Sequence, residues 1–329
     1  MAERMVDVSS ALLELKGLSV RYKVEDGWLS AVNDVSLSIE KGEFFALVGE
    51  SGCGKSTIAS TIMRLSLDHN ERIEGEILFN GRDLAKASED EMAKIRGSGI
   101  GMIFQNPLDS LNPVYTVGWQ IDEAMRAGGL DKRSARKRTI ELMNDVRIPE
   151  AARRAASFPH ELSGGMRQRV MIAMMLSRSP QLLIADEPTT ALDVTVEAQI
   201  LEIMKDMRDR TGASVLMITH NFGIVAETAD KVGIMYAGEL VECGNVYEIF
   251  EHPAHPYSLA LMESLPRRRK QDGRIRTIEG TVPRIIGPYE GCRFANRCPC
   301  AMDVCSRSAP PRRNLGGGHW MRCHREVIA

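Results

Sequence analysis

The sequence predicts an α/β domain with a largely parallel sheet, a helical insertion and a small cysteine-rich C-terminal extension. Short apolar runs alternate with helix-like segments before and after the middle of the chain, as in α/β folds. Residues 107–180 instead have helical periodicity and are rich in Ala, Met, Arg and Glu. Beyond Phe250 the chain becomes rich in Pro, Arg, Gly and Cys. We therefore expect one domain over residues 1–250 and an extension over residues 251–329.

The composition is that of a soluble globular protein, with 43% hydrophobic and 26% charged residues in 329. The 42 basic residues nearly balance the 44 acidic ones, so we expect no nucleic-acid partner. The N-terminal MAERMVDVSS lacks an apolar core and predicts no secretory signal. No apolar run approaches the roughly 18 residues that a membrane-spanning helix needs. A partner would have to hold this protein at a membrane.

The first strands are predicted from alternating apolar and polar residues in LLELKGLSVRY and AVNDVSLSIE. Turn signals at Asp26-Gly27 and Lys41-Gly42 separate the runs, which favours antiparallel strands. The fully apolar FFALVG that follows is typical of a buried central strand. A glycine-rich turn and a helix from about Lys55 to Leu65 come next.

That glycine-rich turn matches G-x-x-x-x-G-K-[ST], a phosphate-binding pattern. The matching residues are Gly49, Glu50, Ser51, Gly52, Cys53, Gly54, Lys55, Ser56 and Thr57. The glycines let successive N–H groups point at phosphates, and the following helix adds its positive end. Lys55 should reach the β- and γ-phosphates, and the Ser56 hydroxyl should bind Mg²⁺. An ordinary glycine turn is the alternative, which the strand–turn–helix context disfavours.

An apolar strand, LLIAD, ends in the acid pair Asp186 and Glu187. Ligands of open α/β sheets bind at such strand ends. Asp186 should hold Mg²⁺, and Glu187 can act as the general base for an attacking water. A solvated strand end is the alternative, and the phosphate loop upstream makes it less favoured.

A second candidate anion site lies at Ser163, Gly164 and Gly165, directly before the apolar helix VMIAMML. One chain rarely needs two such sites for one γ-phosphate. We therefore expect this second site to serve a nucleotide held by another subunit. A glycine linker entering a helix is the alternative.

These motifs, in this order, resemble those of the ABC transporter ATPases over roughly residues 10–250. The resemblance implies an ABC-type P-loop ATPase domain, with a RecA-like core, an antiparallel β subdomain and the helical insertion. It also implies that Gln105, in FQNP, contacts Mg²⁺ and the attacking water. It makes His220 the histidine that contacts the γ-phosphate, although a core histidine at a strand end remains the alternative.

Three further positions follow from the same resemblance. Tyr22 takes the place of the aromatic residue that stacks on adenine, with Trp28 as a weaker alternative. The sequence Ala191-Leu192-Asp193 matches the loop that crosses the dimer interface. Asn221 stands where the family usually has Asp, which alters the local charge beside the histidine.

The C-terminal cysteines predict a metal centre rather than disulfides, because seven cysteines is an odd number and no export signal precedes them. The four candidate ligands are Cys292, Cys298, Cys305 and Cys323. Thiolates favour Zn²⁺ or an iron–sulfur cluster, and CxxC pairs typical of zinc ribbons are absent from the sequence. Seven arginines against one acid between residues 291 and 325 would offset the cluster's negative charge. Cys300 is predicted to be a spare thiol.

This segment, with His255-Pro256-Tyr257, resembles the C-terminal extension of the ATPases of oligopeptide and dipeptide importers. The resemblance implies a [4Fe-4S] cluster on those four cysteines, with zinc or free thiols as the alternatives. It also implies an importer that takes up di- or oligopeptides and works at the cytoplasmic face of the inner membrane. A second ATPase subunit, identical or homologous, two permeases and an extracytoplasmic binding protein would complete it.

The alternative function is a soluble ABC ATPase that acts on nucleic acid or ribosomes. Such proteins tend to carry two tandem ATPase domains or a long coiled-coil insertion, and the sequence predicts neither. The transport function is therefore favoured.

Overall fold

The computed structural model describes residues 11–65, 70–105, 110–189, 193–265 and 278–326. The strands are β1 (Ala11–Val24), β2 (Gly27–Glu40), β3 (Phe44–Val48), β4 (Glu71–Phe79), β5 (Arg82–Asp83), β6 (Ile100–Ile103), β7 (Leu182–Asp186), β8 (Ser214–Thr219), β9 (Lys231–Tyr236), β10 (Glu239–Asn245), β11 (Arg312–Gly316) and β12 (His319–Arg322). The helices are α1 (Lys55–Ile62), α2 (Glu89–Ser98), α3 (Val117–Ala127), α4 (Lys132–Asp145), α5 (Ala151–Arg154), α6 (Gly164–Leu176), α7 (Val194–Thr211), α8 (Phe222–Thr228), α9 (Val246–Glu251) and α10 (Pro256–Glu263). No helix in these ranges is long and apolar enough to cross a membrane.

The smaller sheet has the order β2-β1-β4-β5 and is antiparallel throughout. The alternating runs at the start of the chain form its two longest strands, which confirms the predicted antiparallel β subdomain. Leu13, Leu15 and Leu18 of β1 are buried, and the residues between them are more exposed. This sheet therefore packs one face on the core and leaves the other accessible to solvent.

The larger sheet has eight strands in the order β11-β12-β10-β9-β3-β8-β7-β6. Strands β9, β3, β8, β7 and β6 are parallel, as the alternation of strands and helices predicts. Every residue of β3 and β7 is buried, since helices or the smaller sheet cover both faces. The carboxyl ends of β3 and β7 lie at the same edge, where the phosphate loop and the acid pair follow them.

Helices α3 to α6 form the helical part of the chain between β6 and β7. Side chains cap three of them: Thr116 for α3, Asp131 for α4 and Ser163 for α6. Residues 106–109, where the insertion was predicted to begin, lie outside the described residues. The helix predicted over residues 55–65 ends earlier, at Ile62, and Arg64 then adopts a left-handed φ of 49°.

The C-terminal hairpin of β11 and β12 joins the larger sheet through β10, with Cys243 paired to Trp320. Beside this pair the carboxylate of Glu242 is fully buried and lies 2.7 Å from Nε2 of His319. It also accepts hydrogen bonds from the backbone N–H groups of Ala254 (2.8 Å) and His255 (2.9 Å). The extension is thus tied to the sheet by strand pairing and a buried polar network, while the predicted boundary at residue 250 stays a prediction.

Candidate functional site

The phosphate loop connects β3 to α1 and leaves little space for side chains. A Cβ on Gly49 would lie 2.3 Å from the carbonyl oxygen of Met235, and a Cβ on Gly54 would lie 2.3 Å from that of Ala31. Both glycines have positive φ, at 156° and 102°. Only glycine fits at these two positions, so the loop can follow the tight path that a phosphate-binding turn requires.

Lys55, the first residue of α1, is buried beneath this loop. Its Nζ donates hydrogen bonds to the carbonyl oxygens of Gly49 (2.8 Å) and Glu50 (3.0 Å). Cys53 lies against it, with Sγ 3.6 Å from Nζ, and burial raises the pKa of that thiol. The loop therefore folds around a buried cation, an arrangement suited to a phosphate.

Ser56 and Asp186 meet although they lie on different elements. The Ser56 hydroxyl donates to Oδ1 of Asp186 at 2.9 Å. Burial raises the pKa of Asp186, and the hydrogen bond from Ser56 opposes that rise. A hydroxyl and a carboxylate at one point are oxygen ligands of the kind that Mg²⁺ takes from proteins.

Glu187 lies between two other predicted site residues. Gln105 donates from Nε2 to one carboxylate oxygen at 3.1 Å, and Nδ1 of His220 lies 3.4 Å from the other. Glu187 has a positive φ of 45°, which turns its side chain away from the direction of Asp186 in β7. The glutamine, the base candidate and the histidine thus come together at the end of the sheet.

The cleft beside these groups has a volume of about 470 Å³, within the usual range for a small-molecule site. Lys55, Ser56 and Glu187 line it, together with Tyr22 of β1 and Leu29 of β2. Burial raises the pKa of Tyr22 to about 12, and Glu71 adds to the rise.

The Trp28 ring, the alternative partner for adenine, has Arg72 4.0 Å and Lys23 5.4 Å from its centroid. It is not among the described residues that line the cleft. The position of Tyr22 therefore suits a stacking role better than that of Trp28.

The second candidate anion site lies elsewhere on the molecule. Ser163 caps α6, and its hydroxyl accepts a hydrogen bond from the N–H of Met166 at 3.3 Å. Ser163, Gly164 and Gly165 line a separate surface pocket, together with Arg147 and Asp193, and that pocket shares no residue with the cleft at Lys55. The two anion sites do not meet within the described part of one chain.

Two of the remaining loop residues, Asp193 and Asn221, cap helices. Ala191 and Leu192 lie outside the described residues, whereas Asp193 caps α7 by accepting from the N–H of Val196 at 2.9 Å. Asn221 caps α8 and donates from Nδ2 to Glu197 at 3.3 Å. An aspartate could supply the same cap, so the asparagine beside His220 keeps the local backbone geometry.

Several contacts of the C-terminal extension with the cleft were not predicted. Nη1 of Arg297 lies 3.1 Å from both carboxylate oxygens of Glu50, and the Tyr257 hydroxyl accepts from the Glu50 N–H at 3.1 Å. Pro283 and Arg284 line the cleft itself. No spacing pattern connects these residues to the phosphate loop, so sequence analysis had no signal for them.

The four clustered cysteines lie close together, and no disulfide joins them among the described residues. The N–H of Cys292 donates to the carbonyl oxygen of Cys305 at 2.7 Å. Burial raises the pKa of Cys292 to about 11, and charge on Cys305 and Cys323 raises it further. In the described ranges, however, no three Cys, His, Asp or Glu side chains have a geometry that could hold a metal ion. The structure therefore lends no support to the predicted iron–sulfur or zinc site.

Two family models match the chain. Residues 32–190 match the model described as "ABC transporter", and residues 241–305 match "Oligopeptide/dipeptide transporter, C-terminal region". A probable peptide ABC transporter ATP-binding protein of Sinorhizobium fredii is 46% identical over 322 residues, which cover 96% of each chain. A putative peptide import ATP-binding protein of Brucella abortus is 46% identical over 316 residues, covering 96% of this chain and 95% of the relative.

Solved structures agree on the fold. A dimeric ATP-binding cassette, MJ0796, in a post-hydrolysis state bound to ADP and Pi, has a TM-score of 0.64 and 30% identity. The match covers 71% of this chain and 98% of that one. The cbiO1 protein of Clostridium perfringens, part of an ABC transporter complex, also has a TM-score of 0.64, at 27% identity, and covers 76% and 93% of the two chains.

Proposed function

We propose that this chain binds and hydrolyses ATP to power the uptake of di- or oligopeptides. It belongs to the family of ATP-binding subunits of peptide ABC transporters. The main support for this function is that residues of the separate motifs contact one another at one end of the larger sheet. Lys55 lies under the phosphate loop, Ser56 contacts Asp186, and Glu187 lies between Gln105 and His220.

In the mechanism that we favour, the phosphate loop holds the triphosphate and Lys55 exchanges its contacts with two carbonyl oxygens for the β- and γ-phosphates. Ser56, Asp186 and Gln105 would hold Mg²⁺, which neutralises developing charge on the phosphates when it is bound. Glu187 accepts a proton from the water that attacks the γ-phosphorus, and the bond to the ADP oxygen breaks. Gln105 and His220 position the water and the γ-phosphate.

The location of the two candidate anion sites in different pockets favours an active site shared between two subunits. Ser163, Gly164 and Gly165 open onto a pocket that shares no lining residue with the cleft at Lys55. Head-to-tail pairing of two ATPase subunits would bring each serine–glycine segment to the partner's γ-phosphate. The MJ0796 cassette was solved as a dimer, which supports this arrangement.

The partners follow from the family. We infer a second ATPase subunit, two transmembrane permeases and an extracytoplasmic binding protein, with this chain attached peripherally to the cytoplasmic face of the inner membrane. ATP binding would close the ATPase pair and hydrolysis would reopen it, a ligand-driven motion that is passed to the permeases.

For the cysteines we propose a [4Fe-4S] cluster held by Cys292, Cys298, Cys305 and Cys323. The motive for it is the match of residues 241–305 to the C-terminal region of oligopeptide and dipeptide transporters, together with four thiols close enough for charge on one to raise the pKa of another. Iron analysis of anaerobically purified protein tests this, and an iron-free, folded and active preparation would contradict it.

Purification of the tagged chain from detergent-solubilised membranes tests the transport function. We expect two multi-span membrane proteins to co-purify with it in stable proportion, and the complex to hydrolyse ATP. The matched control is the Lys55→Ala variant, which should assemble with the same partners but lose ATP binding. Recovery of the wild-type chain with ribosomes or nucleic acid, and without any membrane protein, would contradict the proposal.

A further inference from the structure

A short segment of the extension runs along the edge of the smaller sheet. The N–H of Ser30 donates to the carbonyl oxygen of Ile285 at 2.8 Å, and the N–H of Gly287 donates to that of Trp28 at 3.0 Å. These two bonds form an antiparallel bridge between Leu29 and Ile286. The segment thus adds a short extended stretch beside β2, which is otherwise the edge strand of that sheet.

The pairing also determines which side chains share a face. Leu29 lies opposite Tyr22 on one side and Ile286 on the other, and directly opposite residues of antiparallel strands face the same way. Alternation along the segment then puts Arg284 on that face too, beside Ala31. Tyr22, Leu29, Ala31 and Arg284 all line the nucleotide cleft, as do the intervening residues Ser30 and Ile285.

The spacing suits a planar ligand between two side chains. Directly across Leu29 from Tyr22 lies Ile286, two strand spacings or about 9.5 Å away. Arg284 lies two residues further along the segment, so its backbone is about 11–12 Å from that of Tyr22 and its long side chain has to lean towards the ring. A ring held between two partners needs about 7–8 Å, because each partner stacks at about 3.5–4.0 Å. Arg284 is exposed, and no described residue forms an ion pair with it. Its guanidinium is therefore available to a ligand.

We propose that Arg284 stacks its guanidinium on the face of the adenine opposite Tyr22, so that the C-terminal extension closes the nucleoside end of the site. A guanidinium is planar and positively charged, and it stacks readily on aromatic faces. The phosphate end already has Lys55 and the loop N–H groups. The inference rests on the proposed function, because it takes ATP as the ligand of this cleft.

The contact with the base can be separated from a general attraction to phosphate. Stacking on adenine affects ATP and ADP equally and does not affect inorganic tripolyphosphate, which has no base. Attraction to the phosphates would instead act on all three, and most strongly on the ligands with the most charge. The dissociation constants of the three ligands therefore discriminate between the two contacts.

The test measures these three constants for the purified full-length wild type and for Arg284→Ala, Arg284→Lys and Arg307→Ala. Arg307 is an exposed arginine of the same extension outside the cleft, and it serves as the matched control. Arg284→Ala should weaken ATP and ADP equally, by about 3- to 10-fold. The lysine variant should lose less, tripolyphosphate binding should not change, and Arg307→Ala should match the wild type. Equal melting temperatures without nucleotide establish that the variants fold.

Wild-type affinity for ATP in Arg284→Ala would overturn this inference and leave the proposed function intact. An equal loss of tripolyphosphate binding would overturn the stacking contact in favour of phosphate attraction. A folded wild type that binds no ATP would overturn both the inference and the proposed function.

Discussion

The ATPase core and the C-terminal extension contact the same loop in different ways. In the core, Lys55 bonds to carbonyl groups five and six residues away, and the distant pair Ser56–Asp186 joins two motifs that are each recognisable alone. The extension reaches Glu50 through Arg297, which lies 247 residues further along the chain. Glu50 occupies a position that the phosphate-loop pattern leaves free. A variable position of a motif can therefore be the point at which another region acts on it.

We therefore predict that the core carries out the chemistry and that the extension positions the phosphate loop. Glu187, Gln105 and His220 are within reach of one another, whereas Arg297 and Tyr257 contact the phosphate loop at Glu50. Changes at Glu187, Gln105 and His220 should therefore affect turnover, and changes in the extension or where it joins the core should affect nucleotide binding or stability. Four variants test this difference between the core and the extension.

The largest effect is expected in the core, from Glu187→Gln. The amide cannot accept the proton of the attacking water, so the rate of ATP hydrolysis should fall by about 10²–10⁴-fold. ATP affinity should stay near that of the wild type, because the phosphate loop is unchanged. Steady-state hydrolysis and equilibrium ATP binding measure the two quantities. Glu290→Gln, at an exposed position of the extension, is the control and should hydrolyse normally. Undiminished turnover in Glu187→Gln would refute the general-base role.

Glu242→Ala should cause a large loss of stability. It leaves His319 and two backbone N–H groups buried without their carboxylate partner, so the free energy of unfolding should drop by about 3–5 kcal/mol. Urea denaturation, with Glu279→Ala as the exposed control, measures the change. A drop below about 1 kcal/mol would mean that the extension is only loosely joined to the core.

Arg297→Ala should affect binding more than turnover. Without its contact with Glu50, the phosphate loop is less well ordered, so the KM for ATP should rise by about 10-fold. The kcat should change by less than about twofold, since no catalytic group is touched. Arg297→Lys should restore part of the affinity, and Arg307→Ala should have no effect. A fall in kcat with unchanged KM would contradict a positioning role.

The smallest effect concerns acid stability through His255. Burial lowers its pKa to about 4 from the ordinary 6.5, so the unfolded chain takes up a proton at a higher pH than the folded one. This contribution to stability is complete above pH 6.5 and is lost as the pH falls towards 4. Between pH 7 and 5.5 the wild type should lose about 1 kcal/mol through this group.

The His255→Asn variant sharpens that prediction. Asparagine can keep the hydrogen bond from the N–H of Tyr257, which His255 accepts at Nδ1 (3.1 Å), but it does not titrate. Its free energy of unfolding should therefore decline less over the same pH range. Parallel urea denaturation curves at pH 7 and 5.5 measure the difference, and identical declines in the two proteins would contradict it.

The core could be predicted from the sequence because its signals are local. Alternating apolar and polar residues predicted β1 and β2, and the apolar runs FFALV and LLIAD predicted β3 and β7. The motifs at Lys55 and Asp186 both follow buried strands, so the sheet itself brings them to one edge. The roles of the individual site residues stay predictions that the variants above test.

The extension could not be predicted in the same way, because its contacts depend on long-range pairing. Nothing in the order of residues indicates that Ile286 pairs with Leu29 or that Trp320 pairs with Cys243. The C-terminal hairpin turns at Gly316, Gly317 and Gly318, which all have positive φ. The flanking strands are short, and β11 is mostly exposed, so they lack a clear hydrophobic pattern.

The most direct test of the account is a structure of the assembled complex, purified from membranes and loaded with ATP in the Glu187→Gln background. The account predicts that each nucleotide lies on one subunit's Lys55 loop, with the Ser163 hydroxyl of this chain within about 3.5 Å of the γ-phosphate held by the opposite ATPase subunit. An ATP-loaded complex in which Ser163 is remote from every γ-phosphate would contradict it.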